Sequence, residues 1–425
     1  MLLQIGSGAV PVLDLLGRIC SVVRTFLPFY LLLARSPVIG GGPYFFSNGC
    51  VWMAQEEQFL LSEREPGSTS RGENNGIMGF VKSMLALSLG LSAMGVMPAL
   101  ACTRVMYKGL DSIVLTARSM DWKENIGTDL WIFPRGMRRN GEAGEHSLEW
   151  RSKYGSVIAS AYNIATADGM NEKGLVANLL WLAESEFPVR DRMRPGLSIS
   201  LWAQYVLDNF ATVSEAVEAL AQEPFALVSS YIPNMPDKFA TLHLSLSDPT
   251  GDNAIFEYIG GRLVIHHDPS YRVMTNSPVF EQQLALNAYW SEIGGTTMLP
   301  GTNRAADRFV RASFYTQAIP VTDDVQLATA AIFSVIRNCS VPLGISTPGQ
   351  PNISSTIWRV VANQRDRVYF FESVLSPGIF WVDLRDVDFS PDALVRRLKL
   401  TGGQIYAGNA AADFEVSEPF VFEGV

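Results

Sequence analysis

The sequence predicts an α+β fold in which two β-sheets pack together and are covered by helices. Three observations predict it. Short, β-branched or alternating runs gather at both ends of the region after residue 102. Helical periodicity is concentrated between them, and neither an internal repeat nor a low-complexity linker interrupts the region, so the layers are expected to form one domain.

The elements follow in chain order. Residues 113–117 form a short apolar strand, and 156–162 and 175–182 read the same way, separated by a turn-like Asp168-Gly169-Met170-Asn171. Residues 198–210 are amphipathic with helical spacing. Residues 212–222 open with Thr212 and carry Glu215 three positions on, the pattern of a capping box. Strands return at 240–246, 254–259 and 262–266, around Asp248-Pro249-Thr250-Gly251 and Gly260-Gly261. Helices are expected over 305–317 and 323–337, and three strands over 355–362, 368–372 and 378–382.

The region before Cys102 reads differently. Met78 could start a chain, Lys82 supplies a positive charge, and residues 84–97 (MLALSLGLSAMGVM) carry no charge. Pro98 breaks the helix, and Ala99-Leu100-Ala101 gives the small-residue pattern of a cleavage site. Residues 78–101 are therefore expected to be a secretory signal peptide, which places the mature protein in the periplasm or outside the cell. The apolar run is shorter than the roughly 20 residues of a membrane-spanning helix. Residues 1–77 hold a second apolar patch at 25–34 and a polar, turn-rich run at 62–76 that reads as disordered; they are expected to be an N-terminal extension from an over-long gene start, with a real N-terminal anchor on a longer precursor as the alternative.

Removing residues 1–101 from the 425 leaves a domain of 324, enough for one large core. The chain is 48% hydrophobic with a net charge of −9, which argues against a nucleic-acid partner. Of its four cysteines only Cys102 and Cys339 follow the expected cleavage, so no disulfide scaffold is expected. Cys339 reads as a small buried hydrophobe. The four histidines, His146, His243, His266 and His267, lack metal-ligand spacing, because adjacent His266 and His267 point to opposite faces of a strand. No histidine has a context that favours a cysteine–histidine dyad. GxSxG, Walker and HExxH motifs are absent.

Cleavage after Ala101 would make Cys102 the first residue, with a thiol and a free α-amine together. That amine has an unperturbed pKa of about 7.7–8.0, near the ideal for a general base, so one residue could serve as nucleophile and base. The competing class is a non-enzymatic lipoprotein acylated at this cysteine. Ala99 stands where a leucine would be typical of that class.

Cys102-Thr103-Arg104 and Arg118-Ser119-Met120-Asp121-Trp122 resemble the start of the choloylglycine hydrolase family. Asp168-Gly169-Met170-Asn171-Glu172-Lys173-Gly174-Leu175, Thr275-Asn276-Ser277-Pro278, and Leu299-Pro300-Gly301 with Arg308-Phe309-Val310-Arg311 continue the likeness in order. That family includes penicillin V acylases and conjugated bile salt hydrolases and belongs to the N-terminal nucleophile hydrolases. The resemblance implies a four-layer αββα sandwich, hydrolysis of linear amides with no cofactor or metal, a small-molecule amide substrate, and a homo-oligomer, a tetramer by the family's habit.

It also implies roles. Cys102 would be nucleophile and base. Arg118, at the end of the 113–117 strand, would lie beside the thiol and favour the thiolate. Asp121 would hold the α-amine, with a turn residue as its plain alternative, and Asn276 would donate to an oxyanion. Arg308 would support the site electrostatically; opening a helix beside Asp307, it could instead form a surface ion pair.

Trp181 falls where many bile salt hydrolases have an asparagine. Its backbone N–H could still complete an oxyanion hole, since any non-proline residue has that donor. Trp181 and Trp122 would then give the substrate pocket aromatic walls, suited to a phenoxyacetyl group or a fatty acyl chain; core packing is the alternative for both. This tryptophan resembles the penicillin V acylases of Gram-negative bacteria, some of whose relatives cleave acyl-homoserine lactones. Conjugated bile salts are the alternative substrates.

Overall fold

The structure, a computed structural model, describes residues 45–47, 50–52, 102–190, 193–345, 354–376 and 378–425. The chain divides into two compact units, Met1–Met94 and Gly95–Val425. Of the first, the described part is an antiparallel ribbon, Phe45–Ser47 with Cys50–Trp52. The expected signal peptide and most of the N-terminal extension lie outside the described residues.

The second unit carries two large sheets. Its strands are β1 (Thr103–Lys108), β2 (Val114–Trp122), β3 (Leu130–Phe133), β4 (Ser156–Ala161), β5 (Ala165–Asn171) and β6 (Val176–Trp181). Helices α1 (Trp202–Asn209) and α2 (Val213–Leu220) follow, then β7 (Leu242–Ser247), β8 (Asn253–Ile259), β9 (Arg262–His267) and β10 (Val273–Met274). Three helices come next: α3 (Phe280–Ile293), α4 (Ala305–Ala318) and α5 (Val325–Asn338). The chain closes with β11 (Ser355–Asn363), β12 (Val368–Ser373), β13 (Phe380–Asp383), β14 (Arg396–Leu398), β15 (Gly408–Asn409) and β16 (Glu415–Val416).

Seven strands form one sheet in the order β10-β1-β2-β11-β12-β13-β15, and nine form the other in the order β9-β8-β7-β6-β5-β4-β3-β14-β16. Helix α1 packs on β5 and β6 of the larger sheet, whereas α4 and α5 pack on β1, β2 and β11 of the smaller. This is the expected αββα layering. Local chemistry starts the helices where the sequence indicated. Thr212 Oγ1 accepts from the Glu215 N–H, and Glu215 reaches back to the Ala211 N–H. Asp324 accepts from the Gln326 and Leu327 N–H groups to open α5.

Alternation along the strands decides what lies between the sheets. On β1 and β2 the even-numbered side chains face the larger sheet: Arg104 meets Asn253 at 2.6 Å, Thr116 meets Ser247 at 2.7 Å, and Arg118 reaches Asp168 at 3.4 Å. Odd-numbered side chains face the helices, as where Tyr107 donates to the Pro320 carbonyl. A polar row is thus buried inside an otherwise apolar sandwich, its guanidinium groups hydrogen-bonded through their terminal nitrogens.

Two expectations are corrected. The 113–117 strand runs on to Trp122, so Arg118 and Asp121 sit within a strand, not at its end or in a turn. Asp168-Gly169-Met170-Asn171 is not a turn but part of β5. Asp168 can lie there because Tyr369, Asn178 and Arg118 satisfy its carboxylate. Gly169 is needed because a Cβ would meet Ile158 and the Val157 carbonyl at under 3 Å. The reversal comes just after, where Asn171 Oδ1 accepts from the Lys173 and Leu175 N–H groups and Gly174 takes φ +86°. Strand β1 and helix α3 lie outside the expected elements.

Tyr369 donates to Asp168 at 2.7 Å, and both are fully buried. Tyr369→Phe removes that donor and is expected to destabilise the fold by about 1–2 kcal/mol. Chemical denaturation checks this; an unchanged midpoint would mean the inter-sheet hydrogen bond contributes nothing net.

Candidate active site

Cys102 lies one residue before β1, and strand register selects its neighbours. Val105 and Arg104 pair with Val273 and Met274 on one side, while Thr103 and Arg104 pair with Ser119 and Arg118 on the other. Carried one or two residues further, those registers put Asn276 and Met120 on either side of Cys102. The backbone nitrogen of Cys102 donates to Asn276 Oδ1 at 2.5 Å, and Sγ lies 4.0 Å from Met120 Sδ and 3.8 Å from the Asp121 carbonyl oxygen.

Asn276 is a junction. Its Oδ1 also accepts from Arg308 at 2.9 Å, and its Nδ2 donates to the Trp181 carbonyl at 2.7 Å. An amide nitrogen carries two hydrogens, so this bond uses one of the donors expected to serve an oxyanion. Trp181 closes β6. The Leu182 N–H donates to the Thr241 carbonyl, so by alternation the Trp181 N–H points to the opposite edge, where pairing with β5 has ended at Asn178.

Arg308 projects inward from α4 and is fully buried. It donates to the Cys102 carbonyl and to Thr103 Oγ1, both at 2.5 Å, and to the Asn303 carbonyl at 3.0 Å. The alternative surface pair with Asp307 is overturned, because Asp307 instead accepts from Thr302. Arg118 fills the fork where β5 and β6 part, donating to the Ala167 carbonyl at 3.0 Å and the Leu179 carbonyl at 2.7 Å. Its other neighbours are Asp168, Met120 and the ring of Trp358.

Asp121 departs from its expected place. As an odd-numbered residue of β2 it points to the helix side, away from the Cys102 sulfur. Its carboxylate accepts from Thr356 at 2.5 Å and Ser119 at 3.3 Å and lies 4.0 Å from Arg308; the Cys102 nitrogen is bonded to Asn276 instead. Asp121 therefore bears on Cys102 by its charge and through Arg308, not by holding the Cys102 nitrogen.

Burial dominates the electrostatics. It pushes the Cys102 thiol up, while Arg118 and Arg308 pull it down and Asp121 pushes it up again; the net direction is upward. Arg118 pulls toward the thiolate without overcoming desolvation. Burial also raises the Asp121 carboxyl to about 6 against the pull of Arg308 and its hydrogen bonds.

A cavity of about 800 Å³, counting its open mouth, begins at Cys102, Arg118 and Met120. Its walls include Trp122, Trp181 and Ile232. The two indoles lie 5.9 Å apart and tilted at 56°, and Trp122 Nε1 donates to Tyr162. Both tryptophans therefore line the cavity while also packing with neighbours, so the two readings of them coexist.

Cys339 is buried and free, as expected. His243 is buried, with Nδ1 on Glu257 and Nε2 on the Thr275 carbonyl, so it forms no dyad with Cys102. His266 lies on Glu257 and His267 on Asp252. Among the described residues no group of three or more His, Cys, Asp or Glu could hold a metal ion, and no helix is long and apolar enough to cross a membrane. Sequence reasoning missed Thr356, Gln283 and Asp168 as site supports. Asp168 sat in a recognised motif, whereas Thr356 and Gln283 carried no local signal.

Asp121 gives a pH dependence. Its folded pKa lies above the usual 3.8, so the folded state holds the proton more tightly, and stability falls as pH rises from about 4 to 6. Asp121→Asn is expected to flatten that part of the stability–pH curve in denaturant titrations; a slope unchanged in the variant would assign it to another group.

The family model for linear amide C–N hydrolases, the choloylglycine hydrolase family, matches residues 102–396. A penicillin V acylase of Pectobacterium atrosepticum is 53% identical over 371 residues, covering 81% of this chain and 97% of that protein. A bile salt hydrolase/transferase of Bifidobacterium longum is 22% identical, covering 69% and 98%. The solved penicillin V acylase of Agrobacterium tumefaciens is 58% identical with a TM-score of 0.72, covering 76% of this chain and all of that one. The chain belongs to the choloylglycine hydrolase family of linear amide C–N hydrolases.

Proposed function

We propose that the chain is a penicillin V acylase-like amidase whose nucleophile is Cys102, freed as the N-terminal residue by cleavage after Ala101. The carrying observation is the setting of Cys102: its nitrogen is held by Asn276 and its sulfur stands at the start of an aromatic-walled cavity. That the family match begins at residue 102 supports the same reading. A secretory signal at 78–101 would place the enzyme in the periplasm or outside the cell.

The thiol is pushed up by burial, so it needs a base to become a nucleophile. The α-amine of an N-terminal Cys102 is that base, kept beside its own sulfur by Asn276. Sulfur attacks the amide carbonyl carbon as the amine takes the thiol proton. The second Nδ2 hydrogen of Asn276 and the Trp181 N–H stabilise the oxyanion. The ammonium then protonates the leaving nitrogen as the C–N bond breaks. Water, deprotonated by the same amine, opens the thioester and releases the acid. Trp122 and Trp181 receive an aromatic or long acyl group, which favours penicillin V and acyl-homoserine lactones as substrates. Conjugated bile salts are the second reading, supported by the relative in Bifidobacterium longum.

Cys102→Ala is expected to abolish hydrolysis of penicillin V while the protein stays folded, and Cys102→Ser to lose most activity. A chain verified as uncleaved before Cys102 is expected to be inactive, because an amide nitrogen is no base. Turnover by Cys102→Ala would overturn the reading; turnover by the uncleaved chain would leave the cysteine but remove the amine.

Trp181→Ala is expected to weaken catalysis on aromatic and long acyl amides by up to about 2–3 kcal/mol, and less on short ones. A panel of penicillin V, acyl-homoserine lactones and glyco- and tauro-conjugated bile salts measures this. Equal loss on all acyl groups with lowered thermal stability would make Trp181 a packing residue only.

A further inference from the structure

The peptide segment that carries Asn276 is fixed by side chains outside the reacting group. Gln283, fully buried, donates to the Asn276 and Pro278 carbonyls, while Thr275 Oγ1 bonds Gln283 and the Ala305 carbonyl. A further anchor is His243, on β7 of the other sheet. Its Nε2 lies 2.8 Å from the Thr275 carbonyl oxygen, and its Nδ1 lies 3.1 Å from Glu257 Oε1.

Both partners are acceptors. A carbonyl oxygen has no proton to give. The Glu257 carboxyl also receives the Phe280 N–H at 3.2 Å and faces His266 at 3.3 Å. Burial would raise Glu257, but its bonds to His243, His266 and Phe280 hold it at about 2. We infer that His243 is a positioning residue, tying the Thr275 carbonyl to Glu257 so that Asn276 stays on the Cys102 nitrogen. The titratable groups around it are Glu257 on β8 and, across that carboxylate, His266 on β9; the 275–280 segment contributes the Thr275 carbonyl and the Phe280 N–H. Glu257 thereby ties the start of α3 to the same point.

This inference rests on Asn276 and Cys102 forming the reactive centre.

Kinetics tests the positioning. His243→Gln places an amide donor near the former Nε2 and can still serve the Thr275 carbonyl, whereas His243→Asn places one near Nδ1 and cannot. His243→Asn is expected to lower kcat by about 10- to 100-fold with KM little changed, and His243→Gln to recover most of it. Equal kcat in the two variants, or wild-type kcat in His243→Asn, would overturn it. Activity surviving in Cys102→Ala would instead indict the underlying reading of the site.

Discussion

The hydrogen bond from the Cys102 nitrogen to Asn276 Oδ1 is the constraint around which the site is arranged. Three elements converge on it: the start of β1, the turn after β10, and the inward face of α4 through Arg308. The end of β6 joins them through the Trp181 carbonyl on Asn276 Nδ2. Each of these belongs to a different part of the chain, and only the closed sandwich brings them together. A side-chain amide suits the position because it accepts on one side and donates on the other, which neither a carboxylate nor an ammonium can do.

Burial decides the chemistry that this constraint serves. Burial pushes the Cys102 thiol up, because desolvation outweighs the attraction of the Arg118 and Arg308 guanidinium groups. Those guanidinium groups are themselves engaged: Arg118 with the Ala167 and Leu179 carbonyls and Asp168, Arg308 with Cys102, Thr103 and Asn276. Removing one partner of such a buried group leaves an uncompensated charge and costs more than the pair contributes. The arginines therefore fix geometry as much as they set potential.

Much of this was legible in the sequence, and the misses have physical causes. Alternation and capping chemistry located most core strands and helices, because period 2 and the Thr212–Glu215 pair are local signals. The Asp168–Asn171 stretch read as a turn, since aspartate, glycine and asparagine favour turns unless tertiary partners satisfy them. Here Tyr369, 201 residues away in sequence, does so. The motif residues Cys102, Arg118, Asp121, Asn276 and Arg308 do assemble, but Asp121 faces the helices because the strand runs on through it. That detail depends on register, and register is set by partners such as Val273 on Val105 that no local pattern announces.

Distance from the reaction does not make a residue incidental here. His243 lies on the sheet opposite β1, yet it reaches the carbonyl next to Asn276. Glu257 joins that histidine to the first turn of α3, whose Gln283 returns to the Asn276 carbonyl. The loop is closed by hydrogen bonds at each step, so a shift at any member moves the amide that holds Cys102. A fold that buries a polar row between its sheets can hold the Cys102 nitrogen from both sides at once, and in this chain the two sheets meet at Asn276.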